Sequence, residues 1–189
     1  MRILGLHGYQ TSSKIFLLQS RYLRRKLDKD LDLFIEWVVP DAPNKSNDPI
    51  SDIVRKIFEP PYFHWFVKDS SYLGLKESKD KIECLGEFDG IVGFSQGACL
   101  TYIMAKIIKP KFIINICGVN YQDCRSDKTL INIPTLNVIG SLDPLKNRSE
   151  LLANDYVDPE FLYHPGNHSF PPDRESYNQI SNFIKKFKN

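Results

Sequence analysis

Residues 93–98 read GFSQGA, which places Ser95 between two glycines that are each two positions away. This G-x-S-x-G spacing is typical of a sharp turn between a strand and a helix, where the serine backbone takes a positive φ and neighbouring side chains would collide. A serine held in this way presents its hydroxyl at the edge of a sheet and can act as a nucleophile. The alternative is an ordinary glycine-flanked turn without chemistry, and the pattern by itself leaves both interpretations open.

A serine nucleophile needs a base that takes its proton, and the chain has four histidines. His7 follows the first apolar run, His64 lies in an aromatic stretch, and His164 and His168 flank the sequence PGN. In hydrolases built around such a turn the chain order is serine, acid, histidine, which favours the last two. We predict His168 as the base, because it lies in a loop, and keep His164, at a strand end, as the alternative. A zinc site on this pair is disfavoured because the proline and glycine between them exclude helical spacing.

The sequence VIGSLDPL supplies a candidate acid, Asp143, three residues after an apolar run. A carboxylate there can hold the Nδ1 hydrogen of His168 and stabilise the imidazolium that forms when the base takes a proton. Asp143 could instead start a turn or cap the helix that begins near Lys146. Asp155 and Asp158 are further alternatives in a more polar stretch.

Acyl transfer also requires two hydrogen-bond donors for the oxyanion that forms on the substrate carbonyl. The backbone N–H of Gln96, directly after the serine, is one candidate, and the second is expected in a loop after an early strand. The sequence LHGYQ at residues 6–10 suits that loop, because Gly8 permits a tight turn that points the N–H of Tyr9 at the site. His7 is then expected to be a structural residue of the loop and not a base.

The elements that must position these residues can be predicted from hydrophobic periodicity. Strands are predicted at residues 2–6, 33–39, 90–94, 112–117, 135–140 and 160–164. Apolar residues at helical spacing form three faces: Phe16, Leu17, Tyr22, Leu23 and Leu27; Leu100, Ile103, Met104, Ile107 and Ile108; and Tyr177, Ile180, Phe183, Ile184 and Phe187. The alternation predicts an α/β domain with a mainly parallel central sheet flanked by helices. In such sheets functional loops gather at the carboxyl ends of the strands.

Composition indicates one globular domain over residues 1–189, with 42% hydrophobic and 25% charged residues. The formal net charge of +2 gives no reason to expect a nucleic-acid partner. No run reaches the roughly 18 apolar residues of a membrane span. Four cysteines without a C-x-x-C pair, Cys84, Cys99, Cys117 and Cys124, are typical of thiols in a reducing compartment. We therefore expect a cytoplasmic protein.

Taken together, the motifs resemble one known family. The chain contains, in family order and spacing, LHGYQTSSKIF, VVPDAP, SYLGLKES, FDGIVGFSQGACL, IPTLNVIGSLDPL and HPGNHSFP, and so resembles the FSH family of small eukaryotic serine hydrolases along nearly its whole length. The resemblance implies an α/β-hydrolase fold, hydrolysis of acyl esters or thioesters without a cofactor, and a triad on Ser95, Asp143 and His168. The chain departs from the family pattern at Asn167, where a glycine is usual, and at Lys146, where a small apolar residue is usual.

The substrate of such an enzyme is expected to be a small-molecule acyl ester or thioester. The sequence IFEPPYFHWFV at residues 57–67 is the candidate acyl pocket, with the aromatic side chains Phe58, Tyr62, Phe63, Trp65 and Phe66. These side chains favour apolar acyl groups over small charged acids. Alternatively, the segment seals the hydrophobic core. The sequence places no basic cluster for a substrate carboxylate or phosphate.

Two further functions stay open from the sequence. Acyl-protein thioesterases also carry the sequence GFSQG, although the SYLGLKES segment and the short chain favour the FSH family. A non-catalytic α/β-hydrolase scaffold would bind a ligand or a partner protein and would leave Ser95 unreactive.

Overall fold

A computed structural model describes residues 1–67, 72–120 and 129–188 of the chain. Cys124, and Ser71 of the SYLGLKES segment, lie outside these residues. The strands are β1 (Arg2–Leu6), β2 (Glu36–Val38), β3 (Asn44–Ser46), β4 (Tyr62–His64), β5 (Gly90–Phe94), β6 (Phe112–Ile116), β7 (Thr135–Gly140) and β8 (Glu160–His164). Six of them form one parallel sheet in the order β2-β1-β5-β6-β7-β8, and β3 pairs with β4 in a small antiparallel sheet.

The central strands are buried on both faces, which explains their nearly continuous apolar sequences. Every residue of β5, β6 and β7 is buried, as expected of parallel strands that are covered by helices. Alternation along each strand sends Ile91 and Ile113 to one face of the sheet and Val92 and Ile114 to the other. The sheet therefore needs a helical layer on each side.

The helices of the described residues supply both layers. They are α1 (Ser13–Gln19), α2 (Arg21–Leu31), α3 (Asp52–Ile57), α4 (Leu75–Glu83), α5 (Gln96–Ile108), α6 (Lys146–Ala153) and α7 (Arg174–Lys185). Helices α1, α2 and α7 pack on the face that carries Val92, and α4, α5 and α6 pack on the opposite face. Helix α3 buries none of its residues in either layer. In the described ranges, no helix is both long and apolar enough to cross a bilayer.

The parallel sheet flanked by helices confirms the predicted fold class. The strands predicted at residues 2–6, 90–94, 135–140 and 160–164 have the bounds of β1, β5, β7 and β8. The strand predicted at residues 33–39 is shorter, Glu36–Val38. The strand predicted at residues 112–117 ends one residue early, because Cys117 takes a φ of 46° that interrupts the extended backbone.

The predicted helical faces needed two corrections. The first predicted face is divided between two helices, because the chain breaks at Ser20, where φ is −82° and ψ is 0°, and restarts as α2. The break shifts the helical phase, so Tyr22 is 52% exposed while Leu31 joins the core. In α5 the predicted core residue Ile107 is 40% exposed.

Candidate active site

Ser95 lies in the turn between β5 and α5 with a strained backbone, φ 53° and ψ −114°. A non-glycine residue in such a conformation costs on the order of 1–3 kcal/mol, and such strain is concentrated at functional sites. A Cβ at Gly93 would lie 2.6 Å from the backbone N of Ala98, and one at Gly97 would lie 2.1 Å from the carbonyl oxygen of Leu6. Both glycines are therefore required by close backbone contacts around the serine.

The three predicted triad side chains are in hydrogen-bonding contact. The Nε2 of His168 lies 3.0 Å from the Oγ of Ser95, and its Nδ1 lies 2.7 Å from the Oδ2 of Asp143. The Asp143 side chain is fully buried, and its Oδ1 accepts the N–H of Leu145 at 2.7 Å. Since both carboxylate oxygens are engaged, Nδ1 carries the ring hydrogen and Nε2 is left to accept the serine proton.

Backbone contact between the loops after β7 and β8 sets the distance between the carboxylate and the imidazole. The N–H of Leu142 donates to the carbonyl oxygen of Gly166 at 3.1 Å. A Cβ at Gly140 would lie 2.2 Å from the carbonyl oxygen of Asn167, so only glycine permits this approach. Asn167 stands where the family pattern has glycine, and its backbone carbonyl makes this close approach to Gly140.

His164, the alternative base, lies away from the serine hydroxyl and inside the fold. Its Nδ1 accepts the N–H of Gly166 at 3.1 Å, and its Nε2 lies 3.9 Å from the Sγ of Cys117. Burial lowers the pKa of His164. The structure thus places His168, and not His164, against Ser95.

The loop after β1 is organised by the buried imidazole of His7. Its Nε2 accepts the N–H of Ala42 at 3.0 Å, so the hydrogen is on Nδ1, which donates to the carbonyl oxygen of Gly8 at 2.8 Å. The hydroxyl of Thr11 donates to the same carbonyl at 2.7 Å. Burial lowers the pKa of His7 to about 4, which keeps the ring neutral at pH 7. His7 therefore holds the turn that leads to Tyr9.

Tyr9 and Gln96, the predicted oxyanion donors, belong to two segments that lie beside Ser95. A Cβ built on Gly8 would lie 3.5 Å from the Cβ of Ser95, so the turn before Tyr9 packs directly on the serine. Gln96 is the first residue of α5, and N–H groups in the first turn of a helix have no partner within that helix. Tyr9 also lines the cavity that contains Ser95.

The side chain of Gln96 has a structural role that the sequence pattern did not reveal. Its Oε1 accepts the N–H of Trp65 at 3.0 Å, and its Nε2 donates to the carbonyl oxygen of Phe66 at 2.7 Å. The indole N–H of Trp65 donates to the carbonyl oxygen of His7 at 2.8 Å. The residue type could have predicted this role, because the amide of a buried glutamine beside such a turn must find hydrogen-bond partners.

A cavity of about 400 Å³ opens beside the serine. Ser95 and His168 belong to its lining, together with the charged residue Arg148. The apolar part of the lining consists of Ile50, Val54, Phe94, Val119 and Leu145. Further polar side chains in the lining are Tyr9, Thr11, Gln19 and Ser51. A cavity of this size that combines apolar and polar lining groups is typical of a small-molecule site.

The aromatic segment at residues 57–67 lies behind the site. Trp65 and Phe66 are fully buried in the hydrophobic cluster beneath α5, and Tyr62 is also buried. Among the described residues that line the cavity, none of the five proposed pocket aromatics is present: Phe58, Tyr62, Phe63, Trp65 and Phe66. The alternative interpretation, a seal on the core, therefore fits Tyr62, Trp65 and Phe66 better, because their side chains point into the fold.

Cys117 lies close to the carboxylate and the imidazole. Its Sγ, a carboxylate oxygen of Asp143 and a ring nitrogen of His168 all lie within 4.8 Å of one another, a set of groups that could ligate a metal ion. Burial raises the pKa of the Cys117 thiol to about 12, and the charge of Asp143 acts in the same direction. The thiol is directed at the carbonyl oxygen of Ser169 at 3.4 Å, and the carboxylate and the imidazole bind each other, so the group fits buried support for the predicted triad.

Comparison with known proteins places the chain in a family. The family described as serine hydrolase (FSH1) matches residues 1–180. The esterase OVCA2 of Xenopus tropicalis is 27% identical over 214 residues, which cover 99% of this chain and 93% of that protein. Family of serine hydrolases 3 of Saccharomyces cerevisiae is 26% identical over 224 residues, which cover 97% of this chain and 83% of that protein.

The solved structures show the same fold at low sequence identity. The carboxylesterase from Mesorhizobium loti superimposes with a TM-score of 0.67 at 13% identity, over 97% of this chain and 87% of that chain. Esterase PE8 has a TM-score of 0.66 at 16% identity, over 98% of this chain and 92% of that chain. With its parallel sheet, its strained serine turn and the family match over residues 1–180, the chain belongs to the FSH1 family of serine hydrolases and has the α/β-hydrolase fold.

Proposed function

We propose that this enzyme hydrolyses small-molecule carboxylic esters through a triad of Ser95, His168 and Asp143. Membership of a serine hydrolase family supports the reaction class, and the OVCA2 relative is named an esterase. The observation that carries the assignment of residues is the chain of hydrogen bonds from Ser95 Oγ to His168 Nε2, 3.0 Å, and from His168 Nδ1 to Asp143 Oδ2, 2.7 Å.

The reaction proceeds in two acyl-transfer steps. The Oγ of Ser95 attacks the carbonyl carbon while the Nε2 of His168 takes its proton, and Asp143 stabilises the imidazolium. The backbone N–H groups of Tyr9 and Gln96 donate to the oxyanion of the tetrahedral intermediate. The imidazolium then protonates the leaving alcohol, which departs and leaves an acyl-enzyme. Water, deprotonated by the same imidazole, attacks the acyl-enzyme. As the second tetrahedral intermediate collapses, the imidazolium returns the proton to the Oγ of Ser95 and the acid is released.

The cavity beside the serine supports an acyl group with an apolar body. Ile50 and Val54, from the chain just before and within α3, line the cavity together with Phe94 and Leu145. This lining replaces the aromatic segment as the acyl pocket. A thioester would use the same oxyanion donors, because its carbonyl passes through the same tetrahedral geometry.

Labelling with a fluorophosphonate probe tests the proposal. We expect the folded protein to be labelled, and Ser95→Ala and His168→Ala to lose labelling while they keep the circular dichroism spectrum of the parent. Ser141→Ala, an exposed serine in the loop after β7, serves as the matched control and should label normally. Absence of labelling in the folded parent, or labelling that persists in Ser95→Ala, would overturn the triad.

A substrate panel then separates the chemical classes. Hydrolysis of 4-nitrophenyl acyl esters supports the esterase, and hydrolysis of acyl thioesters extends it to thioesters. Cleavage of a palmitoylated protein without cleavage of simple esters would instead support an acyl-protein thioesterase.

A further inference from the structure

A guanidinium group lines the same cavity as the serine and histidine of the proposed triad. Arg148 lies in the first turn of α6, five residues after Asp143. It is an exposed residue, and it lines the cavity together with Ser95 and His168. Nothing in the sequence around position 148 relates this arginine to the serine turn, so the sequence by itself predicts no basic cluster for a substrate anion.

In the described part of the chain, no carboxylate neutralises Arg148. The neighbouring cation on α6, Lys146, has Glu150 one turn away at 3.9 Å. The positions three and four residues from Arg148 are instead Pro144, Leu145, Leu151 and Leu152, so helical spacing supplies no acid. The cavity lining in the described ranges contains no Asp or Glu either.

The carboxylate of Asp143 lies behind the imidazole and already has partners for both of its oxygens. Both oxygens of Asp143 accept hydrogen bonds, one from His168 and one from Leu145, and its side chain is fully buried. The cavity therefore combines an apolar lining with one positive charge that the described residues leave uncompensated. A planar guanidinium of this kind binds carboxylate and phosphate oxygens through paired N–H groups.

We propose that Arg148 binds an anionic group of the substrate, so that the preferred esters carry a carboxylate or a phosphate in addition to the scissile carbonyl. This inference rests on the proposed ester hydrolysis and names the class of substrate for the same site. The anion can belong to the acyl part, as in a half-ester of a dicarboxylic acid, or to the leaving group, as in an acyl-coenzyme A thioester. The apolar lining beside Ser95 holds the part of the substrate that joins the anion to the carbonyl.

Matched substrate pairs test the inference and identify the source of the charge. The acyl arm compares 4-nitrophenyl hexanoate with mono-4-nitrophenyl hexanedioate, which has the same chain length and an added carboxylate. The leaving-group arm compares hexanoyl-coenzyme A with hexanoyl-pantetheine, which lacks the phosphates. We expect Arg148→Gln to lower kcat/KM about 10-fold on the anionic member of one pair, chiefly through KM, because solvent partly screens the exposed guanidinium. The neutral member should change by less than about twofold.

Three control variants distinguish a specific contact from a general effect. Arg148→Lys should retain part of the preference for the anionic substrate, because lysine keeps the positive charge but lacks the paired N–H groups of the guanidinium. Arg148→Glu should disfavour the anionic substrate further. Lys146→Gln removes a cation of the same helix that does not line the cavity, and both substrate ratios should stay as in the parent.

A direct binding measurement tests the anion site even if the enzyme hydrolyses none of these substrates. In the Ser95→Ala background, calorimetry with monomethyl hexanedioate and pantothenate 4′-phosphate measures anion binding without reaction, and adding Arg148→Gln should weaken binding of one of them about 10-fold. Unchanged binding of both anions in the Arg148→Gln variant, or equal kinetic effects on the neutral and anionic substrates of both pairs, would overturn the anion site and leave the triad intact. Anion binding through Arg148 without any hydrolysis would overturn the proposed function and leave the anion site intact.

Discussion

The buried side chain of Gln96 holds the backbone of Trp65 against the serine turn. Its Oε1 accepts the N–H of Trp65 at 3.0 Å, and its Nε2 donates to the carbonyl oxygen of Phe66 at 2.7 Å. Because Gln96 follows Ser95 directly, one residue links the proposed oxyanion donor to the aromatic segment that seals the core behind the site.

Gln96→Ala should therefore destabilise the fold. The change removes the two buried hydrogen bonds that Gln96 makes, to the N–H of Trp65 and to the carbonyl oxygen of Phe66. Loss of a partner from a buried polar group costs about 1–3 kcal/mol. We expect urea denaturation to show a loss of about 2–4 kcal/mol in the free energy of unfolding. Gln179→Ala is the control, because Gln179 is a surface residue whose amide bonds Glu175 at 3.2 Å. Equal stability of the two variants would contradict this role of Gln96.

The strain at Ser95 predicts an unusual order of stabilities. Ser95→Ala removes the hydroxyl but keeps the Cβ at φ 53° and ψ −114°, whereas Ser95→Gly also removes the strain. Part of the gain is offset by the greater entropy of glycine in the unfolded chain. We expect the free energy of unfolding of Ser95→Gly to exceed that of Ser95→Ala by about 1 kcal/mol, measured by urea denaturation. A more stable Ser95→Ala would show that the turn is relaxed.

Asp143→Asn tests the orientation of the proposed base. An amide at this position presents an N–H to Nδ1 of His168 and favours the tautomer whose Nε2 cannot accept the serine proton. Steady-state hydrolysis of a 4-nitrophenyl ester should show kcat lower by about 10,000-fold, the loss typical of this change in a serine triad. Asp173→Asn is the matched control, because Asp173 caps α7 through Ser176 at 2.8 Å and asparagine caps helices equally well. Similar activities of the two variants would remove Asp143 from the triad.

The buried His7 predicts a loss of stability in mild acid. Burial lowers its pKa from the ordinary value of 6.5 to about 4, so in this interval the unfolded chain binds a proton that the folded protein does not. The contribution of His7 to stability is therefore complete above pH 6.5 and is lost as the pH falls towards 4. The total loss is about 3 kcal/mol.

Urea denaturation between pH 4.5 and pH 7.5 measures this contribution by comparing the parent with His7→Gln. Glutamine can still accept the N–H of Ala42 but does not titrate. The parent should lose stability more steeply with falling pH, by up to about 1.4 kcal/mol per unit. Parallel curves would show that His7 does not titrate differently in the two states, since the other histidines are the same in both proteins.

Local sequence was sufficient to predict the sheet and the serine turn. Strands such as β5 and β7 are continuous apolar runs because both of their faces are covered, and this property is visible in consecutive residues. The need for the glycines around Ser95 is also visible in the local sequence. Each glycine permits a close backbone contact, either within a few residues or with the adjacent strand. The order of the motifs then indicated the family, and the match over residues 1–180 confirmed it.

Only the tertiary structure decided which side chains meet around the serine. His168 and His164 are four residues apart, and their contacts with Ser95 and Cys117 depend on how the loop after β8 lies against the loop after β7. The aromatic segment packs towards the core, where the side-chain amide of Gln96 hydrogen-bonds its backbone. The two partners are separated by about thirty residues in the sequence. Arg148 lines the cavity because α6 packs on a face of the sheet, where its Leu152 lies in the same cluster as Ile113. Periodicity reports which face of an element is buried, but which distant partner meets that face is determined by packing between segments far apart in the chain.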